Sequence, residues 1–210
     1  MKKILKYLNE ELKKEKNILL FNFIIFILGL TIGTLFINFI TSADKTLLIE
    51  QLETYLSNIN KLSNDVYGLN LFIDNIINNG LQLFIIFALG ISMIGVLAVI
   101  LILFFKGFML GATLSTFLLK YKLKGVLGAL LYVFPCYVLN IFIYIFLCYF
   151  AVKSCVKFLK AFFKKDKLDF RTFLGKYLLS FFISLLLMLV ICLLDAYITP
   201  YLLKLFTFLI

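Results

Sequence analysis

The chain contains no histidine. That removes imidazole proton relays, histidine metal ligands and every Ser-His or Cys-His catalytic pair. It contains no tryptophan either, so tyrosine and lysine must serve as interfacial anchors. Its four cysteines, Cys136, Cys148, Cys155 and Cys192, lie in or at the edge of apolar runs without a C-x-x-C pair. They are expected to be small, reduced packing residues rather than disulfides or metal ligands. No H-E-x-x-H or G-x-S-x-G motif occurs. These absences point away from an enzyme and from any cofactor. Charge is also scarce, at 15% of 210 residues, against 63% hydrophobic residues and a mean hydropathy of +1.08. Soluble domains are about 45–50% apolar. Such an excess cannot be hidden in one small core. The expectation is an all-α, polytopic membrane bundle with about five transmembrane helices, forming one integral membrane domain over residues 1–210.

The net charge of +10 is not spread evenly. It clusters in short segments between apolar runs, where it sets topology rather than binding nucleic acid. Residues 1–17 carry Lys2, Lys3, Lys6, Lys13, Lys14 and Lys16 among Ile4, Leu5, Leu8 and Leu12 at helical spacing. This is a basic amphipathic lead suited to the inner surface. Residues 18–40 form a charge-free run of about 35 Å as a helix, long enough for a first span and read as an uncleaved anchor. Gly29 and Gly33 form a Gly-x-x-x-Gly pair, which fits close helix contact or simply tolerated membrane glycines.

Residues 41–79 form the one long polar segment, with Asp44, Glu50, Glu53, Asp65 and Asp74 against Lys45 and Lys61. The acidic excess fits an outer loop. Leu48, Leu52, Tyr55, Ile59 and Leu62 make an a/d-like stripe, with Ser42 or Asp44 as its cap. Asn64–Gly68 reads as a turn, and a second amphipathic piece with Phe72, Ile73, Ile76 and Ile77 ends at Asn78-Asn79-Gly80, a plausible C-cap. The stripe can pack on the bundle, lie on lipid or receive a partner. Nothing else outside is large enough to be the partner surface.

Residues 81–105 read as span 2, which places Lys106-Gly107 at the inner boundary. Phe108–Leu119 would be only about 18 Å as a helix, short of a hydrocarbon core of roughly 30 Å. If it does not cross, the basic segment after residue 152 lies outside, against the positive-inside tendency. A short, thin or broken span 3 over 108–123 is therefore expected, with a re-entrant hairpin as the alternative. Gly107 and Gly111 would let it sit tightly in the bundle. Span 4 covers 125–152, with a kink expected at Pro135 and a polar group needing a partner at Asn140.

The opening Lys106-Gly107-Phe108, Gly111 one turn on, the charged gap, Gly125 and Gly128, then Pro135 with Asn140 five residues later, form a pattern over residues 104–150. With the basic start and the single acidic loop, the chain resembles the stage II sporulation protein M family. The family pattern has His after the proline and Glu at the later position, where this chain has Cys136 and Asn140. The resemblance implies a non-enzymatic, multi-pass cell-membrane protein of the sporulation septum. It implies a role in endospore engulfment, with the peptidoglycan-remodelling stage II sporulation proteins D and P as partners.

Residues 153–176 form an inner basic loop with an amphipathic pattern. Lys157, Lys160, Lys164 and Lys165 are candidates for contact with anionic lipid rather than nucleic acid. Span 5 covers 177–199, with Asp195 expected as an interfacial carboxylate near its outer end. Pro200 is expected to stop that helix, leaving residues 200–210 as an interfacial tail. The function expected is a membrane scaffold, N-terminus cytoplasmic, holding wall-remodelling partners. The alternative is a transporter or permease subunit with a site at broken helices around Lys106–Gly111 and Pro135–Asn140.

Overall fold

The computed structural model describes residues 16–61, 64–92, 95–134, 136–164 and 170–209, with side chains described outside 60–67, 160–172 and 209. The basic lead before Lys16, Leu62, Pro135 and Lys165 lie outside the described residues, as do the side chains of Lys160 and Lys164. The described residues form six α-helices: α1 (Lys16–Phe39), α2 (Ser42–Lys61), α3 (Asn64–Ile91), α4 (Gly95–Val133), α5 (Cys136–Lys164) and α6 (Phe170–Leu209). Five of them contain stretches long and apolar enough to cross a membrane; the exception is α2.

The Gly-x-x-x-Gly pairs fix how the bundle is assembled. A Cβ on Gly29 would fall on the backbone carbonyl of Phe104, and one on Gly33 on that of Phe108. Reciprocally, a Cβ on Gly107 would fall on the carbonyl of Phe26, and one on Gly111 on that of Leu30. Removing four side chains lets the two backbones touch, which is how helices gain dispersion contact where the hydrophobic effect is absent. One turn further on, Ser115 Oγ donates to the carbonyl of Thr34 at 3.2 Å. Residue numbers rise together along this contact, so α1 and α4 run parallel.

The other contacts give the remaining directions. Gly68 faces Tyr197, Gly80 faces Met188 and Gly90 faces Tyr177, so α3 and α6 are antiparallel. Asn79 meets Asn140, while Leu89 meets Cys155, so α3 and α5 are parallel. Thus α1, α4 and α6 run one way and α3 and α5 the other. The count of five crossings holds, but the boundaries differ from those expected.

The Asn64–Gly68 turn and the C-cap at Asn78-Asn79-Gly80 are not present: Asn64 and everything from it to Ile91 belong to the single helix α3. The stretch 81–105 is not one span. The chain reverses after Ile91, where the Ser92 N–H donates to the carbonyl of Leu89 at 3.0 Å and the Gly95 N–H to that of Ser92 at 3.2 Å. A Cβ on Gly95 would meet the Leu89 backbone, so only glycine fits this corner. From Gly95 the helix passes through Lys106 and Gly107 without a break. Hence Lys106 marks no boundary, and Phe108–Leu119 is the second half of a full-length span. From Gly95 to Tyr121 that span is about 40 Å long, with Lys106 about 17 Å from its start, near mid-depth.

The actual break is at Lys122, whose backbone (φ 51, ψ −129) has the geometry of the first central residue of a II′ turn. The chain folds back there, and Gly125 lies so close to the Phe117 carbonyl that no side chain fits. A lysine in this region of φ/ψ carries strain of about 1–3 kcal/mol. Lys122→Gly is therefore expected to stabilise the protein by about 1 kcal/mol, seen as a higher melting temperature in detergent.

Two more expectations fail for one reason, which is that tertiary packing outweighs the local signal. The helix does not stop at Pro200 but runs on to Leu209. Its tail buries Leu203 and Phe206 against Phe117, Ala129 and the inner face of α2. The expected inner basic loop does not begin at residue 153, because α5 continues through to Lys164. There Lys153 is buried, with its ammonium over the Tyr149 ring, and half-buried Lys157 sits over that of Phe173.

Candidate functional site

Thr41 caps α2, not Ser42 or Asp44. Thr41 Oγ1 accepts from the Asp44 N–H at 3.3 Å and donates to Asp44 Oδ2 at 2.6 Å, a reciprocal capping arrangement. Leu52 (8% exposed), Leu56 (4%) and Ile59 (1%) are buried against α4 and α6. Leu52 and Ile59 therefore hold α2 to the bundle and are not free to receive a partner. Leu48 and Tyr55 line a cleft of about 240 Å³ between α2 and α4, with Gln51, Thr113 and Tyr132. Lys120 of α4 pairs with Glu53 of α2, tying charge as well as apolar area across this contact. The face of α2 left exposed carries Asp44, Glu50 and Gln51.

Inside the bundle, α3 presents Asn75, Asn79 and Gln82 at helical spacing toward α5 and α6. Asn75 Nδ2 donates to Asp195 Oδ2 at 3.0 Å, and Thr199 Oγ1 donates to the other oxygen of the same carboxylate. Asp195 is thus part of an inter-helix polar seam. Asn79 Oδ1 accepts from Asn140 Nδ2 at 3.2 Å and lies 3.1 Å from the Tyr144 hydroxyl. That hydroxyl also lies 2.9 Å from Gln82 Oε1 and 3.4 Å from the Asn79 carbonyl, and a single proton serves one of the three acceptors at a time. Asn140 Oδ1 is buried without a partner. Acceptors therefore outnumber donors at this level.

Lys106 lies beside these groups. Its ammonium lies 4.3 Å from the centroid of the Tyr144 ring. Lys106, Asn140, Tyr137 and Tyr144 line a cavity of about 10 Å³, about the space one water needs to bridge such groups. A charge at the centre of a membrane helix costs about 2.5–3.5 kcal/mol on insertion scales. A desolvated cation–π contact returns about 2 kcal/mol of that. The remainder is small, so α4 can carry its lysine through mid-depth. This is why the charge does not end the helix.

Of the residues singled out from the sequence, Gly29, Gly33, Gly107 and Gly111 converge on one contact, where Phe108 adds an edge-on ring contact with Phe36. Gly125 meets the turn at Lys122, and Gly128 meets the Phe206 ring. Lys106 and Asn140 come together at the seam. Sequence reasoning missed Asn75, Asn79, Gln82 and Tyr144. Their signal was the 75/79/82 spacing, a polar stripe on an otherwise apolar helix. The continuous helix through Lys106–Gly111 removes the discontinuity on which a transport site there was premised. Among the described residues no group of His, Cys, Asp and Glu is placed to hold a metal ion.

No curated protein and no solved structure matches the chain. The family model described as Stage II sporulation protein M matches residues 22–200, a stretch that contains the α1–α4 glycine contact, the seam and part of every span. The chain is a multi-pass helical membrane protein, and it belongs to the stage II sporulation protein M family.

Proposed function

We propose that this protein is a non-enzymatic scaffold of endospore engulfment, holding peptidoglycan-remodelling proteins, stage II sporulation proteins D and P among them, at the septal membrane. The N-terminus is cytoplasmic and α2 faces outward. The observation that carries this reading is the sorting of charge by the parallel α1–α4 contact. Among the described side chains, Lys16, Lys153, Lys157 and Lys176 fall at one end of the bundle with no acid among them, whereas at the other end Lys45, Lys120, Lys122, Lys124 and Lys204 are offset by Asp44, Glu50 and Glu53. That is the distribution expected when the basic end faces the cytoplasm. The exposed acidic face of α2 is the outer docking surface, since its apolar face is occupied by the bundle. Single-cysteine labelling tests the orientation. A Lys176→Cys variant is expected to react with impermeant maleimide only in inverted vesicles, and reaction in intact protoplasts would reverse the topology. Co-purification of the two wall-remodelling proteins with the wild-type chain, lost or at least halved in Asp44→Lys/Glu50→Lys, tests docking. Failure of the wild type to retain either protein would defeat the scaffold reading.

A further inference from the structure

Between α3 and α4 a groove of about 230 Å³ is lined by Gln82, Ile85, Ile102, Phe105, Lys106 and Met109. Ile85, Phe105 and Met109 are exposed on its apolar rim, on the surface that faces lipid. Lys106 and Gln82 are its polar members. Among the described residues the one ion pair is Lys120–Glu53, so Lys106 has no carboxylate partner. The polar groups that share its cavity and groove, Gln82, Tyr137, Asn140 and Tyr144, are neutral. The carboxylate of the seam, Asp195, already accepts from Asn75 and Thr199. The bundle therefore holds a positive charge at mid-depth without a counter-charge, and the groove gives access to it from the side. Lipid headgroups lie too far out to supply the missing charge.

We infer that this groove receives a transmembrane helix of a partner protein carrying Asp or Glu at mid-depth. Its carboxylate pairs with Lys106 and accepts from the Gln82 amide, while its apolar neighbours pack on Ile85, Phe105 and Met109. Charge complementarity is the argument. An ammonium and a carboxylate that are each unfavourable alone in hydrocarbon become a hydrogen-bonded pair on association. The inference rests on the scaffold reading and adds a docking position inside the membrane to the one at the outer surface.

The test uses the purified full chain, labelled at its basic end and reconstituted in phosphatidylcholine vesicles at pH 7. The probe is a labelled synthetic leucine-alanine transmembrane peptide with Glu, Gln or Lys at its centre. Energy transfer is expected to show the Glu peptide binding at least about 10-fold more tightly than the Gln peptide, and the Lys peptide no better than Gln. Lys106→Arg should keep the preference, and Lys106→Gln should abolish it. Met109→Trp, which fills the groove from an exposed position, should weaken Glu-peptide binding even if Lys106→Gln does not fold. Equal binding of the Glu and Gln peptides to the wild type would overturn the inference. So would Lys106-dependent transfer to labelled oleate or to a second copy of the chain without the Glu preference, which would assign the groove to a fatty acid or to self-association. The two readings fail separately: loss of the peptide preference leaves co-purification through α2 intact, whereas loss of co-purification leaves the peptide preference measurable.

Discussion

Gly33→Ala is expected to destabilise the protein by about 3 kcal/mol, the top of the usual range for overpacking. Gly107→Ala should do the same. The size comes from what the added methyl would meet. At Gly33 it meets the Phe108 backbone and at Gly107 that of Phe26, so no side chain can swing away and the two helices must part. Parting them also loses the Ser115–Thr34 hydrogen bond and the Phe36–Phe108 ring contact. Other glycines supply the contrast. A Cβ on Gly80 would meet only the flexible end of Met188 at 3.4 Å, and one on Gly175 would meet no neighbouring element within 4 Å. In a helix Ala is favoured over Gly by about 0.8–1.0 kcal/mol, so Gly80→Ala and Gly175→Ala should be neutral or stabilising. Melting temperatures of the four variants in one detergent check this. A uniform response would show that the α1–α4 approach is not what fixes the bundle.

Asn79→Leu should cost about 2 kcal/mol, although it makes α3 more apolar. Inter-helix hydrogen bonds in membranes average about 0.6 kcal/mol and reach about 1.7 kcal/mol, so a residue must serve several partners to matter. Asn79 does so. Its oxygen takes Asn140 and Tyr144, and its amide faces Cys192 at 3.8 Å. Removing it leaves Asn140 with neither side-chain polar atom paired, since Oδ1 already has no partner. Asn78, next in sequence but exposed, is the control, and Asn78→Leu should be neutral. In Asn79→Leu/Asn140→Leu the second change should add little, because both remove one network. Chemical denaturation in mixed micelles measures all three.

These contacts also explain which parts of the fold could be read from residues alone. Hydropathy gave span 1, the all-helical class and the number of crossings, because each depends on total apolar length. The middle boundaries were misplaced at two polar features, Asn78-Asn79-Gly80 and Lys106-Gly107. A polar group ends a membrane span only if it finds no partner there. Asn79 has Asn140 and Tyr144 as partners, and Lys106 has the Tyr144 ring. Those partners lie on α5, about 40–60 residues further along the chain, where no local window sees them. The α2 stripe was legible as a stripe, but periodicity cannot tell whether its apolar face meets the bundle or a partner. The Gly-x-x-x-Gly pairs were visible individually. That Gly29–Gly33 faces Gly107–Gly111, and in parallel, is a fact of assembly rather than of either motif.

The chain reverses at the α3–α4 corner and not at Lys106. Impermeant maleimide labelling of Ser92→Cys and Lys106→Cys in inverted vesicles decides it, and the four native cysteines are buried and so protected from the reagent. Ser92, exposed at the α3–α4 corner, should label rapidly from the cytoplasmic side, and position 106, held at mid-depth, should stay unlabelled until detergent is added. Rapid labelling at 106 with protection at 92 would contradict the account and return Lys106 to the membrane boundary.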